Sequence, residues 1–445
     1  MSATFLPWDV DQDWLLPPSV RELVPPDHVA HFVRDLVREE LDLSAILDDY
    51  ARQAGAPAFH PALMTALLLY GYTQGVYSSR KLARACEQRL DFMAVTALAK
   101  PDYRTIAAFR QRHRDALARL FVQVLRLCRR AGLVKLGHVA LDGTKVRANA
   151  SRHKAMSYER MVKRETELEA EVKAWFAAAD EADQAEDAAL GADRSGEQLP
   201  AWVVHKQQRL AHIREAKAAL EAEAAAGEPA PESADANVQP APEAASAAPA
   251  PPLPAPQAQR NFTDPESRIM KTHDGWQQCY NPQAAVDADS QIIVATYVTK
   301  AGTDRREMLP LLDQVADNLG EYPQQASADN GYYSDANVRG TAERGVDGYV
   351  ATGRQRHGKP SATGESPPLR ESAVRAEMRA KLTAGGWESP YHRRKQSVEP
   401  VFGQIKAARG FRQFLTRGLE NVNAEWQLVC CAHNVLKLAA QLLRR

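Results

Sequence analysis

The chain has 445 residues, 44% of them hydrophobic and 7% aromatic, a balance that allows two or three domains with a sizeable core and speaks against a fibre or a membrane protein. Lys and Arg total 56 against 56 Asp and Glu, so net charge is silent on partners and only its distribution informs. Residues 80–135 hold 14 basic and 4 acidic side chains, residues 165–258 hold 6 and 18, and residues 391–445 hold 10 and 3, so two basic segments flank an acidic one.

Residues 1–25 form a Pro- and Trp-marked arm without the basic and apolar regions of a secretory leader. Asp27 suits the N-cap of a helix over 28–40, and helices follow over 61–75 and 79–96. Leu82, Cys86 and Leu90 recur at i, i+4 and i+8, so Cys86 reads as core. After Pro101-Asp102, a helix over 104–131 carries Ile106, Phe109, Leu117, Leu120 and Val124 as its apolar stripe, with Arg110, Arg112, Arg114 and Arg119 on other faces. Two helices, the second Arg-rich, suggest a helix-turn-helix reader of DNA, although their connection exceeds the usual turn of about four residues. A solvated helix face explains the arginines equally well, and the local positive excess favours phosphate contact. Residues 1–135 are therefore expected to be an all-helical DNA-binding domain.

At His138 the period changes: HVALDGTKVRANAS alternates as a strand, with Val139 and Leu141 on one face and Asp142 on the other. An Asp in an apolar strand is costly without cations beside it, yet Asp142-Gly143 is also a hairpin dipeptide, and these residues alone leave both readings open. Lys145 and Arg147 continue the strand with positive charge. Residues 156–226 are rich in Ala, Glu, Lys and Gln and read as long exposed helices or a coiled-coil hairpin, and residues 228–259 lack Lys and Arg and read as a disordered linker. Together, 155–260 are an insertion between the first strand, 136–154, and the rest of an α/β domain over 261–445.

That remainder opens with a hairpin over 284–299, turning at 287–290, followed by a helix over 304–319 and a strand that delivers Asp329-Asn330-Gly331 at its mouth. A helix over 334–343, the short strand GYVATG, a Gly/Pro/Ser loop over 353–368 and a helix over 369–384 come next. In YHRRKQSVEPVFGQIK, from Tyr391, a single carboxylate sits among cations. Tyr391, Lys395, Glu399, Phe402 and Lys406 fall within an arc of about 80° on a helix. An i,i+4 ion pair between Lys395 and Glu399 explains the spacing, and so does a metal-binding carboxylate flanked by phosphate-holding side chains. Pro400 places the helix start near Ser397, with the proline in the first turn where amides lack partners. A last helix covers 422–443.

Asp142 on the first strand, Asp329 at the end of the fourth and a helical Glu399 can meet where strands of an open sheet end. Two Asp and one Glu without Cys or His are hard oxygen ligands suited to Mg²⁺ or Mn²⁺, and two such ions support in-line displacement at a phosphodiester. Chance placement of the three remains the competing account.

The stretches LDGTKVRANAS, KTHDGWQQCYNPQAAVD, SADNGYYS, SVEPVFGQIK, FRQFLTRG and EWxLxCxAHNxxK together resemble the DDE transposases of bacterial insertion sequences, in particular the group called insertion sequence eleven-eighty-two. PDYRTIAAFRQRHRD, from Pro101, is similar to the helical N-terminal domain of that group. The resemblance implies an RNase H-like catalytic domain with Asp142, Asp329 and Glu399 as ligands of two Mg²⁺ or Mn²⁺ ions. It also implies DNA as partner, both terminal inverted repeats and target, and a homodimer or higher assembly in the cytoplasm. Tyr391, Lys395 and Lys406 fill positions like the family's tyrosine, arginine and lysine around the glutamate. Here Lys395 stands where arginine is expected and Arg394 is a candidate substitute. An RNase H-like nuclease without strand transfer, or an inactive DNA-binding copy, are the alternatives.

Five cysteines without a CxxC pair suggest a reducing cytosol. Cys430, Cys431 and His433 read as packing rather than as metal ligands, His273-Asp274 as a loop contact, and Trp276 and Trp426 as core or DNA-stacking supports.

Overall fold

The computed structural model describes residues 19–50, 58–190, 201–226, 253–354, 362–364 and 371–443. The expected N-terminal arm up to residue 18 and most of the expected linker over 228–259 lie outside the described residues. The chain divides into two compact units, Met1–Val134 with Gln427–Arg445, and Lys135–Trp426.

The first unit is helical. Its helices are α1 (Val29–Glu39), α2 (Ser44–Leu47), α3 (Pro61–Thr73), α4 (Ser79–Gln88), α5 (Leu90–Thr96), α6 (Tyr103–Arg112) and α7 (Arg114–Arg130). Helix α3 is apolar on all sides, with Leu67, Leu68, Leu69 and Tyr70 all buried, so it is the centre around which the others pack. His28 rather than Asp27 caps α1, its Nδ1 accepting from the Ala30 amide at 3.1 Å. Two helices expected to be continuous are broken. Extended backbone at Arg89 separates α4 from α5, which leaves Cys86 buried but turns Leu90 outward, 56% exposed. His113 leaves helical geometry between α6 and α7, so the arginines around it lie on two helices.

The second unit is built on a mixed sheet of β1 (His138–Gly143), β2 (Val146–Arg147), β5 (Arg268–Thr272), β6 (Gly275–Asp287), β7 (Ile293–Thr299), β8 (Gln325–Ala328) and β9 (Asp347–Val350). Asp142-Gly143 is therefore strand, not a hairpin turn. The long β6 uses its first half to pair with β5 and β2 and its second half to pair antiparallel with β7 and β1. β8 runs parallel to β1, and β9 parallel to β8. The order through the centre is thus β7, β6, β1, β8, β9, with β1 in the middle and buried throughout its apolar part. A central strand buried on both faces needs a continuous apolar run, which Val139-Ala140-Leu141 supplies up to Asp142.

Between β2 and β5 the short strands β3 (Ala155–Ser157) and β4 (Gln259–Asn261) pair antiparallel. They flank a hairpin of two long helices, α8 (Tyr158–Leu190) and α9 (Ala201–Ala225). Met161 and Leu168 of α8 bury against Leu210, Ile213, Ala216 and Leu220 of α9, so the Ala/Glu-rich insertion has its own apolar seam.

Helices α10 (Met308–Leu319), α11 (Asp335–Glu343), α12 (Ala373–Gly385) and α13 (Arg393–Gly403) follow. α10 starts four residues later than expected, which leaves Asp304 in the loop after β7. The final helix α14 (Leu419–Leu442) belongs to the second unit up to Trp426 and to the first from Gln427, whereas the sequence assigned all of it to the sheet. Trp426 and Cys431 are fully buried, as expected of packing residues, while Trp276 is 41% exposed.

Candidate active site

Helix α13 packs on β1, β6 and β8, and its start differs from the expected one. It begins at Arg393, so Pro400 lies in its interior rather than in its first turn. A proline there cannot bond the carbonyl four residues back, which is Gln396. Gln291, in the turn between β6 and β7, fills that vacancy by donating from Nε2 to the Gln396 carbonyl at 2.9 Å. Gln291 holds a left-handed φ of 61°, and its Oε1 accepts from Gln404 Nε2 at 3.2 Å. The hairpin turn thus clamps the helix at its proline and fixes where Arg394 and Glu399 reach the sheet.

Arg394 joins two of the three expected carboxylates. Its Nη1 donates to Asp142 Oδ2 at 2.9 Å and its Nη2 to Glu399 Oε1 at 3.1 Å. Arg394 is 10% exposed, Asp142 18% and Glu399 46%, so the Asp142 arm is the dry one. Glu399 consequently pairs with Arg394, not with Lys395, which points into solvent. Buried Tyr391 lies against Arg394, and burial pushes its phenol up.

Asp329 follows β8 and starts a short 3-10 turn, Asn330–Tyr332, its Oδ1 accepting from the Gly331 amide at 2.8 Å. It stands close enough to act on Asp142. Burial pushes the Asp142 carboxyl up to about 7; Arg394 opposes the rise, and the charges of Asp329 and Asp304 add to it.

Asp304 had no place among the expected residues. Its Oδ1 accepts from Asn281 Nδ2 at 2.6 Å and from Gln283 Nε2 at 2.7 Å, with Lys145 Nζ 3.7 Å away. Burial lowers the Lys145 ammonium, and Asp304 is first among the charges that oppose this. The available signal was on β6, where Asn281 and Gln283 put two buried amides two residues apart, on one face of the strand. Gly143 makes room for them: a Cβ there would lie 2.5 Å from Gln283 Nε2, 2.6 Å from Asp304 Oδ1 and 3.0 Å from Asn281 Oδ1.

The other expected residues are more dispersed. Lys406 Nζ donates to Thr144 Oγ1 and to the Lys145 carbonyl, both at 3.0 Å, and so pins the β1–β2 loop, while burial lowers its ammonium. Arg147 is exposed on β2. In the helical unit Arg110 was expected on an outward cationic face. Its guanidinium instead turns in, donating to Tyr72 Oη, the Tyr77 carbonyl and Ser79 Oγ at 3.0 to 3.3 Å. Arg112 bonds Asp49, and Arg114 pairs with Asp115. His273 and Asp274 are exposed in the β5–β6 turn.

The donor set at the sheet is carboxylate and amide oxygen only, the chemistry of a hard divalent cation. Asn281 Oδ1 is buried without a hydrogen-bond partner beside Asp304, and the charges of Asp329 and Asp304 act on Asp142, so the residues fit a cation in chemistry and in charge. Among the described residues no three such ligands are already closed around one point, and Arg394 is the positive charge standing between Asp142 and Glu399.

A helical region followed by a mixed sheet-and-helix region is the arrangement expected of a chain with a DDE transposase domain. Family comparison agrees: residues 18–112 match the model described as Transposase domain (DUF772), and residues 361–439 match the one described as Transposase DDE domain. Two matches to transposase domains in one chain are consistent with a DDE transposase of an insertion sequence. The second match contains Tyr391, Arg394, Glu399 and Lys406, while Asp142 and Asp329 lie outside both. No curated protein and no solved structure matches the chain. Among the described residues no helix is long and apolar enough to cross a membrane.

Proposed function

We propose that this transposase binds the terminal inverted repeats of its own element, cleaves at the ends and transfers the resulting 3′-hydroxyls to target DNA. The insertion sequence eleven-eighty-two group is the proposed home of that element. The observation that carries the reading is the bridge made by Arg394 between Asp142 and Glu399, with Asp329 acting on the same carboxyl. An RNase H-like fold is supported by the order β7, β6, β1, β8, β9, with β6 antiparallel to both its neighbours and β8 and β9 parallel to β1.

Asp142, Asp329 and Glu399 would hold two Mg²⁺ or Mn²⁺ ions, which supply charge stabilisation and activation of the attacking oxygen in in-line phosphoryl displacement. The protein's own groups do the positioning. The Gln291 clamp and the packing of α13 hold Glu399 over the strand ends. Arg394, once its carboxylates are otherwise neutralised, has a guanidinium free to grip a phosphate by two parallel hydrogen bonds. Exposed Lys395 and Arg147 add phosphate contacts at the rim, and Tyr391 supports the Arg394 side chain from behind. In the helical unit Arg112 and Arg114 are the proposed DNA contacts, and Arg110 holds α6 to its neighbours.

The test is incubation of the protein with labelled element ends, target DNA and Mg²⁺. Joined products support transposition, cleavage without joining reduces the activity to that of a nuclease, and a shifted but uncut DNA leaves only binding. Glu399→Gln should keep the shift and lose both cleavage and joining; normal cleavage by that variant would remove Glu399 from the site.

A further inference from the structure

We propose that Asp304 is a fourth carboxylate of this centre and holds its divalent cation together with Asp142 and Asp329, an inference that rests on reading the site as the DDE centre. Asp304 is 19% exposed and has two oxygens in different situations. Oδ1 is committed to Asn281 and Gln283. Both amides are fixed in orientation: Asn281 Nδ2 donates also to the Ala301 carbonyl at 3.1 Å, and Gln283 Oε1 accepts from the buried Tyr332 hydroxyl. The chain Tyr332, Gln283, Asp304, Asn281 therefore holds the carboxylate rigidly by one oxygen and leaves the other to present.

Oδ2 lies on the side of Gly331. A Cβ at Gly331 would lie 3.5 Å from Asp304 Oδ2, an ordinary contact, and 3.0 Å from Asp329 Oδ1, a tight one, so this glycine borders both carboxylates. A second observation is independent of the carboxylates. Asn281 Oδ1 is fully buried and accepts no hydrogen bond, and it lies beside Asp304 Oδ1 under Gly143. Two carboxylates bordering one glycine, beside an unpartnered amide oxygen, gather acceptors in excess of the Lys145 ammonium beside them. A hard cation satisfies such a set, and Lys145, 3.7 Å from Asp304 Oδ1, is the nearest positive charge on that side. Glu399, on the far side of Arg394, is the more exposed carboxylate and joins a cation already held by the aspartates.

Asp304→Asn separates anchoring from ligation. Its retained oxygen still accepts from Asn281 and Gln283, while an amide NH₂ replaces the oxygen on the side of Gly331. Mn²⁺ titration of the full chain without DNA, by electron paramagnetic resonance and calorimetry, reads the difference. The expected result is a Kd for Mn²⁺ at least tenfold weaker in both Asp304→Asn and Asp329→Asn, with the metal-free melting temperature of Asp304→Asn unchanged or raised. Gly331→Ala, which sets a methyl against Asp329 Oδ1 and removes no carboxylate, should also weaken Mn²⁺. If Asp304→Asn binds Mn²⁺ as the parent does while Asp329→Asn does not, the fourth ligand is refuted and the DDE reading stands. If the parent chain binds no Mn²⁺, or Asp142→Asn and Asp329→Asn leave its affinity unchanged, the DDE reading of the site fails and the proposal falls with it.

Discussion

Arg394→Met offers the sharpest test of the site's electrostatics, because it removes the guanidinium bonded to Asp142 and keeps most of the apolar stem. Breaking a buried ion pair ordinarily costs about 3–5 kcal/mol. Here proton uptake limits the loss. With Asp142 held near 7, its neutral form at pH 8 lies only about 1.4 kcal/mol above the ionised one. Losing the guanidinium's hydrogen bond to that neutral form adds about 1 kcal/mol. The arm to half-exposed Glu399 adds no more than about 1 kcal/mol. The deficit should therefore be about 2–3 kcal/mol at pH 8 and about 1 kcal/mol at pH 6, where Asp142 is largely neutral in the parent.

The sign follows from linkage. Asp142 has a folded pKa raised above its unfolded value near 3.8, so its favourable contribution is complete below that value and is lost as pH rises through about 7. Without Arg394 the folded value rises further, the loss continues to higher pH, and the gap between the proteins widens. Thermal unfolding with a chelator present, at pH 6 and pH 8, reads this as a drop in the melting temperature of the sheet unit that is larger at pH 8. Excess Mg²⁺ should close part of the gap by replacing the missing charge. A deficit of equal size at both pH values, or none at pH 8, would refute the coupling of Arg394 to the Asp142 charge.

His138 pairs through Nε2 with Ser327 Oγ at 2.8 Å, and burial drives its imidazole down to about 4. Its contribution is present above the unfolded value near 6.5 and is lost as pH falls toward 4, by up to about 3 kcal/mol, so His138→Asn should flatten acid unfolding in that window. Gly143→Ala drives a methyl into Gln283, Asp304 and Asn281 and should cost about 1–3 kcal/mol in urea unfolding, together with end joining. Gln291→Ala loses the cap on the Gln396 carbonyl and keeps the left-handed backbone, whereas Gln291→Gly loses the same cap and relieves the backbone; the alanine variant should be less stable by about 1 kcal/mol. Equal stabilities would remove the strain argument.

What the sequence made legible and what it hid have physical causes. Alternation marked the strand that carries Asp142 but left a hairpin at Asp142-Gly143 open, because a central strand buried on both faces is apolar at successive positions and shows no polar face to decide between the two. The mouth of β8 at Asp329 was legible from small residues running into Asp-Asn-Gly. The face holding Tyr391, Lys395 and Glu399 was not: the position of Pro400 within α13 depends on a hydrogen bond to its orphaned carbonyl from Gln291, a residue of another hairpin. No local rule foresees that a proline will be tolerated because a distant amide replaces its missing bond. Once α13 starts at Arg393, Arg394 is the residue turned to the sheet and Lys395 the one turned to solvent, so the cation beside Glu399 is set by tertiary contact and not by i,i+4 spacing. Asp304 was hidden for the same reason. Helical period extended α10 back to it, while its pull from Asn281 and Gln283 keeps it in the loop, facing the acids rather than capping a helix.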